Sequence, residues 1–571
     1  MHHFKSMLAE EISSAVAKAY PENSLDKEEI LKMLEYPPDT TMGDIAFPCF
    51  KLSKMLRTAP PKIASALAEQ LGALENGEAA AVGGYLNFKI SPAYLEKHVL
   101  TEIEEKGAKY GSSDVGRGKT VVFDYSSPNI CKPFHIGHLG TTVIGHSLKL
   151  LHQFEGYNCV GVNHLGDWGT QFGKQIVAFR KWGDRETVEK GGIDELVKLY
   201  VKFHEEAEKD PALNDEARAE FHKLEEGDRD NIELRNWFVS VSMKEYEFTY
   251  RQLGIDFDSY KGESFYVDKV PEQVEVLREK GLLKLDDGAS IVDLSEYNMP
   301  PCLILKNDGS TIYPVRDIAA AVYRKRTYDF DKCVYVTSSA QSLHFAQWFK
   351  VIELMGYDWY NELVHVPYGT VSVDGAKLAT RTGNVVLLKD LFRQAVEKVE
   401  EIMQEKNPDL ENRAEVAEAV GVGAIVFGYL YNSRIKDINF TLDQALNFDG
   451  STGPYAQYTY ARTCSIISKA KEAGIIGTGG SLTHNSEAEL LKTLSRFHEK
   501  VEAAVAEYEP SDVTRYIIEL CTSFNRFYRD CPIITADTEE SKQFRIRLTK
   551  AVNTVLSTAL HLICVKTPEK I

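Results

Sequence analysis

Thr120-Val121-Val122-Phe123-Asp124-Tyr125-Ser126-Ser127-Pro128-Asn129-Ile130-Cys131-Lys132-Pro133-Phe134-His135-Ile136-Gly137-His138 passes from an apolar, β-branched run through a polar loop to a pair of histidines. Beyond it Leu139, Val143, Ile144, Leu148 and Leu151 recur at helical spacing, and Gly156 stands where a helix C-terminus favours positive φ. Cys159-Val160-Gly161-Val162 reads as a second buried strand. This strand, loop, helix, strand order predicts a parallel nucleotide-binding sheet. His135 and His138 share a face at the positive end of the helix, where backbone N–H groups and two imidazoles can meet an anion. Gly137 between them lets a base or phosphate approach the backbone. Two histidines of purely structural use are the alternative.

The longer phrase Ser126-x-Pro128-Asn129-x-x-Lys132-x-x-His135-Ile136-Gly137-His138-Leu139, with Asn163-His164-Leu165-Gly166-Asp167-Trp168-Gly169-Thr170-Gln171-Phe172-Gly173 after it, resembles class I aminoacyl-tRNA synthetases and, among them, the arginyl-tRNA synthetases. The resemblance covers essentially the whole chain and is strongest over 120–173 and 311–383. It implies an α/β fold: a Rossmann-like parallel-sheet catalytic domain with an N-terminal α+β module, a helical insertion and a C-terminal all-helical bundle. The expected divisions are 1–115 for a module binding the tRNA D-loop or elbow, 116–400 for the catalytic domain and 401–571 for an anticodon-binding domain. Within the catalytic domain a connective insertion is expected over about 179–262, and a mobile signature loop over 375–384. The implied activity is arginine-tRNA ligation through an arginyl-adenylate, with L-arginine, tRNA(Arg) and ATP (as Mg-ATP) as ligands. The implied setting is a cytoplasmic monomer without membrane contact or a tightly bound metal.

Composition agrees with a soluble enzyme. The 571 residues, 43% hydrophobic and 26% charged, suffice for roughly three or four domains. The N-terminal segment has neither a signal-peptide core nor a run long enough to cross a bilayer. Nine cysteines are scattered singly with no Cys-x-x-Cys, which argues for reduced thiols and against a zinc site built from cysteine pairs. The net charge of -18 weighs mildly against a nucleic-acid partner, although an acidic enzyme can carry one basic face. It predicts tRNA binding that is local and weakened by salt.

Along the chain, residues 7–17, 28–34 and 62–71 read as helices, 37–44 as turn chemistry, 47–56 as an amphipathic segment and 81–90 as one strand. The resemblance assigns Tyr85 and Asn87 on that strand to reading a tRNA base by stacking and amide hydrogen bonding, with Gly43-Asp44 recurrent beside them. Ending a strand is their plainer use. Residues 179–257 read as charged amphipathic helices. The sheet is expected to resume at 262–266, 290–294 and 302–305, with a turn at Asn307-Asp308-Gly309, a helix entered at Tyr313-Pro314 and a strand at 332–337. Ser339 to His344 follow at that strand's C-terminal end, where open parallel sheets hold their ligand.

A guanidinium offers five donors and a permanent charge, so its pocket needs carboxylates and neutral acceptors in fixed geometry. The resemblance places Asp124, Ser126, Asn129, His138, Tyr313, Asp317 and Gln341 around arginine. It places Lys132, His135, Gly137, His138, His344, Lys377 and Arg381 around ATP, with His135, His138, Lys132, Lys377 and Arg381 carrying the chemistry. The loop Gly375-Ala376-Lys377-Leu378-Ala379-Thr380-Arg381-Thr382-Gly383-Asn384 departs from the family's Lys-Met-Ser-Lys pattern, with Thr380 where the second lysine would stand. Lys132 is expected to compensate.

From about residue 410 the pattern is helical, with helices at 414–429, 487–508, 511–528 and 542–565. Tyr455, Gln457, Tyr458, Arg462 and Asn525 are candidates for touching the anticodon loop, although aromatics at helical spacing more often build a core. A non-catalytic tRNA-binding paralogue and a tRNA-independent nucleotidylyltransferase stay open as alternatives.

Overall fold

The computed structural model describes the chain except for residues 308, 374–375 and 378–385. Its centre is a four-stranded parallel sheet built from β1 (Thr120–Asp124), β2 (Asn158–Val162), β3 (Lys332–Ser338) and β4 (Leu363–Tyr368), in the order β4-β3-β1-β2. Asp124 lies level with Val162 on one side and Tyr335 on the other, so these strands end together. The chain leaves β1 toward β2 on one side and β3 lies on the other, which opens a crevice at the C-terminal edge. Val121, Val122, Phe123, Val334 and Val336 are buried, as expected of a sheet covered on both faces. Around it lie α1 (Ile136–Phe154), α2 (Arg229–Leu253), α3 (Tyr313–Tyr328) and α4 (Ser342–Leu354).

Several expected elements take another form. Residues 262–266 are not a strand. Glu263–Tyr266 is a helical turn, because Asp167 Oδ1 accepts from Ser264 N at 2.9 Å and Glu263 N donates to Leu165 O at 3.0 Å. A Cβ at Gly262 would meet Asp167 Oδ1 at 2.5 Å, so only glycine lets the turn close on that carboxylate. The 290–294 and 302–305 segments do not continue the parallel sheet. Leu283–Asp286, Ala289–Val292 and Cys302–Leu305 form a separate antiparallel sheet. Cys302 and Ile304 are buried and Leu303 is exposed, an alternation that suits a sheet with one wet face.

The single strand expected over 81–90 is a hairpin, Gly77–Val82 with Tyr85–Ile90, turning at Gly83 with φ +59°. Residues 47–56 begin inside the strand Ile45–Pro48 and then wind into short helical turns. The helix expected over 487–508 is two, Asn485–Leu494 and Phe497–Ala506.

The N-terminal module, a three-stranded antiparallel sheet under the helices His2–Ala19 and Pro60–Leu71, docks on the C-terminal helices. Asp44 explains the Gly43-Asp44 pair physically: its carboxylate accepts from Ile90 N at 2.8 Å and meets Lys492 Nζ at 2.7 Å. Arg547 pairs with Glu104 at 2.8 Å and with Glu96 at 3.2 Å, and Lys5 with Glu499 at 3.0 Å. Both side chains of the Asp44–Lys492 pair are largely out of water, so removing one strands the other. Asp44→Ala is expected to loosen the module by about 3 kcal/mol. Faster proteolytic nicking between the module and the catalytic domain would register this, and wild-type cleavage rates would show the pair to be idle.

Candidate active site

The loop between β1 and α1 is a strained segment held from several sides. Ser126, Ser127 and Cys131 have φ of +72°, +48° and +61°, a left-handed conformation costing non-glycine residues about 1–2 kcal/mol each. Side chains from α2 and the strand ends hold it there. Tyr250 Oη and Ser126 Oγ lie 2.7 Å apart, Tyr246 Oη donates to the carbonyls of Asn129 (2.8 Å) and Lys132 (2.7 Å), and Asn163 Oδ1 accepts from Ser127 N at 3.1 Å. Thr142 Oγ1 also donates to Ser126 Oγ at 2.9 Å. The hydroxyl of Ser126, expected to touch arginine, is therefore buried in the loop's own network. Asn129 and Lys132 stay exposed.

At the loop's end the histidines cap α1 reciprocally. His135 Nδ1 accepts from Gly137 N at 3.1 Å, and His138 Nδ1 accepts from His135 N at 3.2 Å. An imidazole whose Nδ1 accepts must carry its proton on Nε2, so each ring keeps an N–H for an incoming oxygen. Burial, then Lys132, pulls His135 down to about 4. Burial, then His135 and Lys132, pulls His138 down to about 3. Both are neutral donors at pH 7, not cations. The two rings lie 3.9 Å apart, and Phe134 stacks on His138 at 5.1 Å.

The signature loop's far end is fastened to this motif, since Ile136 N donates to Val386 O at 3.1 Å and Leu388 N to Phe134 O at 2.9 Å. Its near end pairs Lys377 with Ser372 in a short antiparallel ladder. The Lys377 side chain and Arg381 lie outside the described residues. Gly137, Ser338, Tyr368, Val371, Asp437 and Asn439 bound a cavity of about 540 Å³ beside the start of α1, large enough for a nucleoside.

Tyr313, Asp317 and Gln341, expected around arginine, lie on the α3 and α4 side of the crevice. Tyr313, 62% exposed, and Asp317 lie one turn apart, and Asp317 Oδ2 meets His344 Nε2 at 2.6 Å. The proposed amino-acid and nucleotide sides thus touch through this pair. Gln341 is exposed at the end of the turn Ser339–Gln341.

Asp124 differs from expectation, because it already has a guanidinium: Arg324 Nη1 lies 2.7 Å from its Oδ2, and Ser127 Oγ donates to its Oδ1 at 2.9 Å. Sequence reading passed over Arg324, which sits in α3 as a helical residue without a motif. It also passed over Glu263, read as part of a strand. Glu263 lies 3.2 Å from Arg316, and burial, then the charges of Asp317 and Asp167, overcomes Arg316 to push its carboxyl up to about 7. A further cation placed beside it would favour its charged form.

The tRNA candidates divide. Tyr85 is exposed and packs edge-on against exposed Phe50 at 4.9 Å, whereas Asn87 on the same strand is buried at 5% exposure. In the C-terminal bundle Gln457 is fully buried, donating to Ala419 O at 3.0 Å and Lys566 O at 2.8 Å, so it fastens the C-terminal tail and is not available to an anticodon. Asn525 is engaged by Arg462 at 2.5 Å and Tyr455 Oη at 2.9 Å. The Arg462 guanidinium lies over Tyr458 at 5.0 Å and over Tyr528, missed from sequence, at 5.4 Å. These exposed rings line a groove of about 870 Å³ that Ile571 also borders.

Such a sheet, with a histidine-capped helix over its C-terminal edge and a helical bundle beyond, defines a class I aminoacyl-tRNA synthetase. The family described as tRNA synthetases class I (R), catalytic domain, matches residues 99–442, with the arginyl tRNA synthetase N terminal domain at 6–90 and the DALR anticodon binding domain at 456–571. The arginine–tRNA ligase of Alkaliphilus metalliredigens is 49% identical over the full length of both chains, and that of Clostridioides difficile 50% identical over 96% of this chain and 97% of its own. The solved arginyl-tRNA synthetase of Thermus thermophilus aligns over 99% of both chains with a TM-score of 0.83 at 25% identity. The chain belongs to the arginyl-tRNA synthetase family.

Histidine-selective ¹⁵N spectra between pH 5 and 8 should show His135 and His138 fixed as Nε2–H tautomers; an imidazole of either that titrates near 6.5 contradicts the capping geometry. Arginine binding should lower the Glu263 pKa and release a proton near pH 6–7. Calorimetry in buffers of different ionisation enthalpy would read that release, and its persistence in Glu263→Gln would assign it elsewhere.

Proposed function

We propose that this arginine–tRNA ligase activates L-arginine with ATP at the C-terminal edge of the β1–β3 crevice, using its loop, capped helix and acidic α3 side in distinct roles. What carries the reading is one edge that presents neutral imidazole N–H donors beside a group of carboxylates short of cations. The first suits a triphosphate and the second a guanidinium. Arginine's carboxylate attacks the α-phosphate in line and pyrophosphate leaves. The arginyl group then passes to the terminal ribose of tRNA and AMP is released.

Little proton transfer is asked of the protein in the first step, so positioning and charge stabilisation dominate. Tyr313, Asp317 and Glu263 would hold the guanidinium, and a neutral side chain such as citrulline's would leave their charge uncompensated. Asn129 and Gln341, both exposed at the crevice mouth, suit the amino and carboxylate ends of the substrate. Asp124, paired with Arg324, would act on the amino group while Arg324 keeps its carboxylate oriented. His135 and His138 would donate Nε2–H to phosphate oxygens, Gly137 would lie against the adenosine, and His344 would bridge the two substrates through Asp317. Lys132, Lys377 and Arg381 would meet the developing charge on the pyrophosphate, with magnesium arriving on the triphosphate.

Residues 1–115 would hold the tRNA elbow through Tyr85 and Phe50, and residues 401–571 the anticodon through Tyr458, Arg462 and Tyr528. Stacking on such exposed rings is worth about 1–3 kcal/mol per base. A cytoplasmic monomer is the working form we expect. Among the described residues no helix is long and apolar enough to cross a membrane.

The decisive experiment is ATP–pyrophosphate exchange with and without tRNA, offering arginine, lysine, citrulline and canavanine. Exchange with arginine and not citrulline supports the pocket; equal use of citrulline would remove it, and no exchange with tRNA still bound would leave a non-catalytic tRNA binder. Lys132→Ala is expected to lower kcat about a hundredfold, and a change within about threefold would relieve Lys132 of its role. Tyr85→Ala should raise the KM for tRNA and leave kcat near wild type.

A further inference from the structure

Residues 163–167, which follow β2, run beside the strained loop and are fastened to it. His164 N donates to Ser127 Oγ at 3.1 Å, Gly166 N to Pro128 O at 3.0 Å, and Ile130 N to Gly166 O at 3.1 Å. The backbone of His164 is therefore held in place, while its imidazole takes no part in holding the loop. That ring is reached by Arg324 from α3: Nη2 lies 3.3 Å from His164 Nδ1, and Nη1 of the same guanidinium lies 2.7 Å from Asp124 Oδ2. A guanidinium only donates, so His164 Nδ1 accepts and the ring proton sits on Nε2. Arg324 is 1% exposed, with its guanidinium 5.5 Å from the Tyr335 ring and 6.0 Å from that of Tyr266. His164 tilts against the same Tyr266 at 5.3 Å. One buried fork thus holds a carboxylate and an imidazole side by side, at the end of β1 and just past the end of β2.

His164 is half-buried, and among the described residues its Nε2 has no hydrogen-bond partner. The charges around it are Asp124, Arg324, Asp317 and Asp167, so the ring stands among the groups of the crevice. Burial, with Arg324, keeps its pKa below the ordinary histidine value against the pull of those carboxylates, which leaves a neutral donor at pH 7. Each carboxylate already has a donor of its own: Arg324 and Ser127 for Asp124, His344 for Asp317, Arg235 and Ser264 for Asp167. The Nε2–H is thus left for a ligand that accepts. In L-arginine the guanidinium and the α-ammonium only donate, and the carboxylate only accepts. Asp124 suits the ammonium, so a donor set beside Asp124 suits the carboxylate carried by the same carbon atom.

We propose that His164 donates its Nε2–H to the α-carboxylate of L-arginine, and that Arg324 sets His164 and Asp124 as a matched pair for the two charges of the amino-acid head. The proposal rests on the reading of this crevice as the arginine site. It adds a residue that distinguishes the amino acid from a guanidino-amine without a carboxylate. The same carboxylate attacks the α-phosphate, so the contact also fixes the direction in which its oxygens face ATP.

Agmatine, which is arginine without its carboxylate, is the probe. By calorimetry on the full chain, His164→Phe, which keeps a ring and removes the N–H, should weaken L-arginine about tenfold or more, the scale of a hydrogen bond to a charged group. Agmatine should stay within about twofold of its wild-type Kd, and that unchanged binding also shows the variant to be folded. His164→Gln, whose side-chain amide still donates, should recover most of the lost arginine affinity. In the wild type, with no substitution at all, the Nε2–H resonance of His164 should shift with L-arginine and stay in place with agmatine. Equal weakening of both ligands in His164→Phe, an unchanged Kd for L-arginine, or the same resonance shift with both ligands would each overturn the assignment while leaving the pocket. Failure of the wild type to bind either ligand would remove the arginine pocket and this assignment with it.

Discussion

The site depends on holding a strained loop against the end of β1. Three non-glycine residues between Ser126 and Cys131 adopt left-handed backbone, at a combined cost of about 3–6 kcal/mol. Hydrogen bonds from Tyr246 and Tyr250 of the inserted helix α2 and from Asn163 at the end of β2 offset it. The helical insertion therefore contributes directly to the geometry of the site. Without its two tyrosines the loop would lose the hydrogen bonds that hold the carbonyls of Asn129 and Lys132 and the hydroxyl of Ser126.

Electrostatics on the two sides of the crevice are arranged oppositely. On the α1 side, burial keeps both histidines neutral, so they serve a phosphate as hydrogen-bond donors with fixed tautomers. On the α3 side, burial first and then the charges of Asp317 and Asp167 push the Glu263 carboxyl up to about 7 against the pull of Arg316. Asp167 is itself engaged by Arg235 and Ser264, and Asp124 by Arg324. Glu263 is beside Arg316 and Asp317 beside His344, so these four carboxylates meet three guanidiniums, and an arginine side chain would supply a fourth.

Particular residues mark how far the sequence was legible. The β1-α1-β2 unit and the strand expected at 332–337 followed from apolar periodicity, because a sheet covered on both faces demands continuous burial, and the α3 entry at Tyr313-Pro314 from the proline in its first turn. Glu263 was hidden, because Glu-Ser-Phe-Tyr has strand-like propensity and only the distant Asp167 carboxylate turns it into a helix start. Gln457 was misread for a complementary reason: its helical spacing beside Tyr455 and Tyr458 is compatible with either face, and the carbonyls of Ala419 and Lys566 that claim it come from far along the chain. Asn87 shares its strand face with Tyr85, yet packing of the N-terminal module buries one and exposes the other.

The sequence by itself determined the family, through its resemblance over the long phrase 126–173, and the β1-α1-β2 core of the sheet with two histidines at a helix start, through local periodicity; the residues set around a guanidinium and a triphosphate were what that resemblance implied. Only the tertiary structure decided which carboxylates are already paired, which histidine nitrogen faces outward, and which aromatics of the C-terminal bundle remain open to a ligand. The physical reason is that charge compensation and burial are set by neighbours separated by tens to hundreds of residues: Arg324 against Asp124, Asp167 against Ser264, Lys492 against Asp44. A linear pattern carries the chemistry of each group, but its partner is chosen in three dimensions.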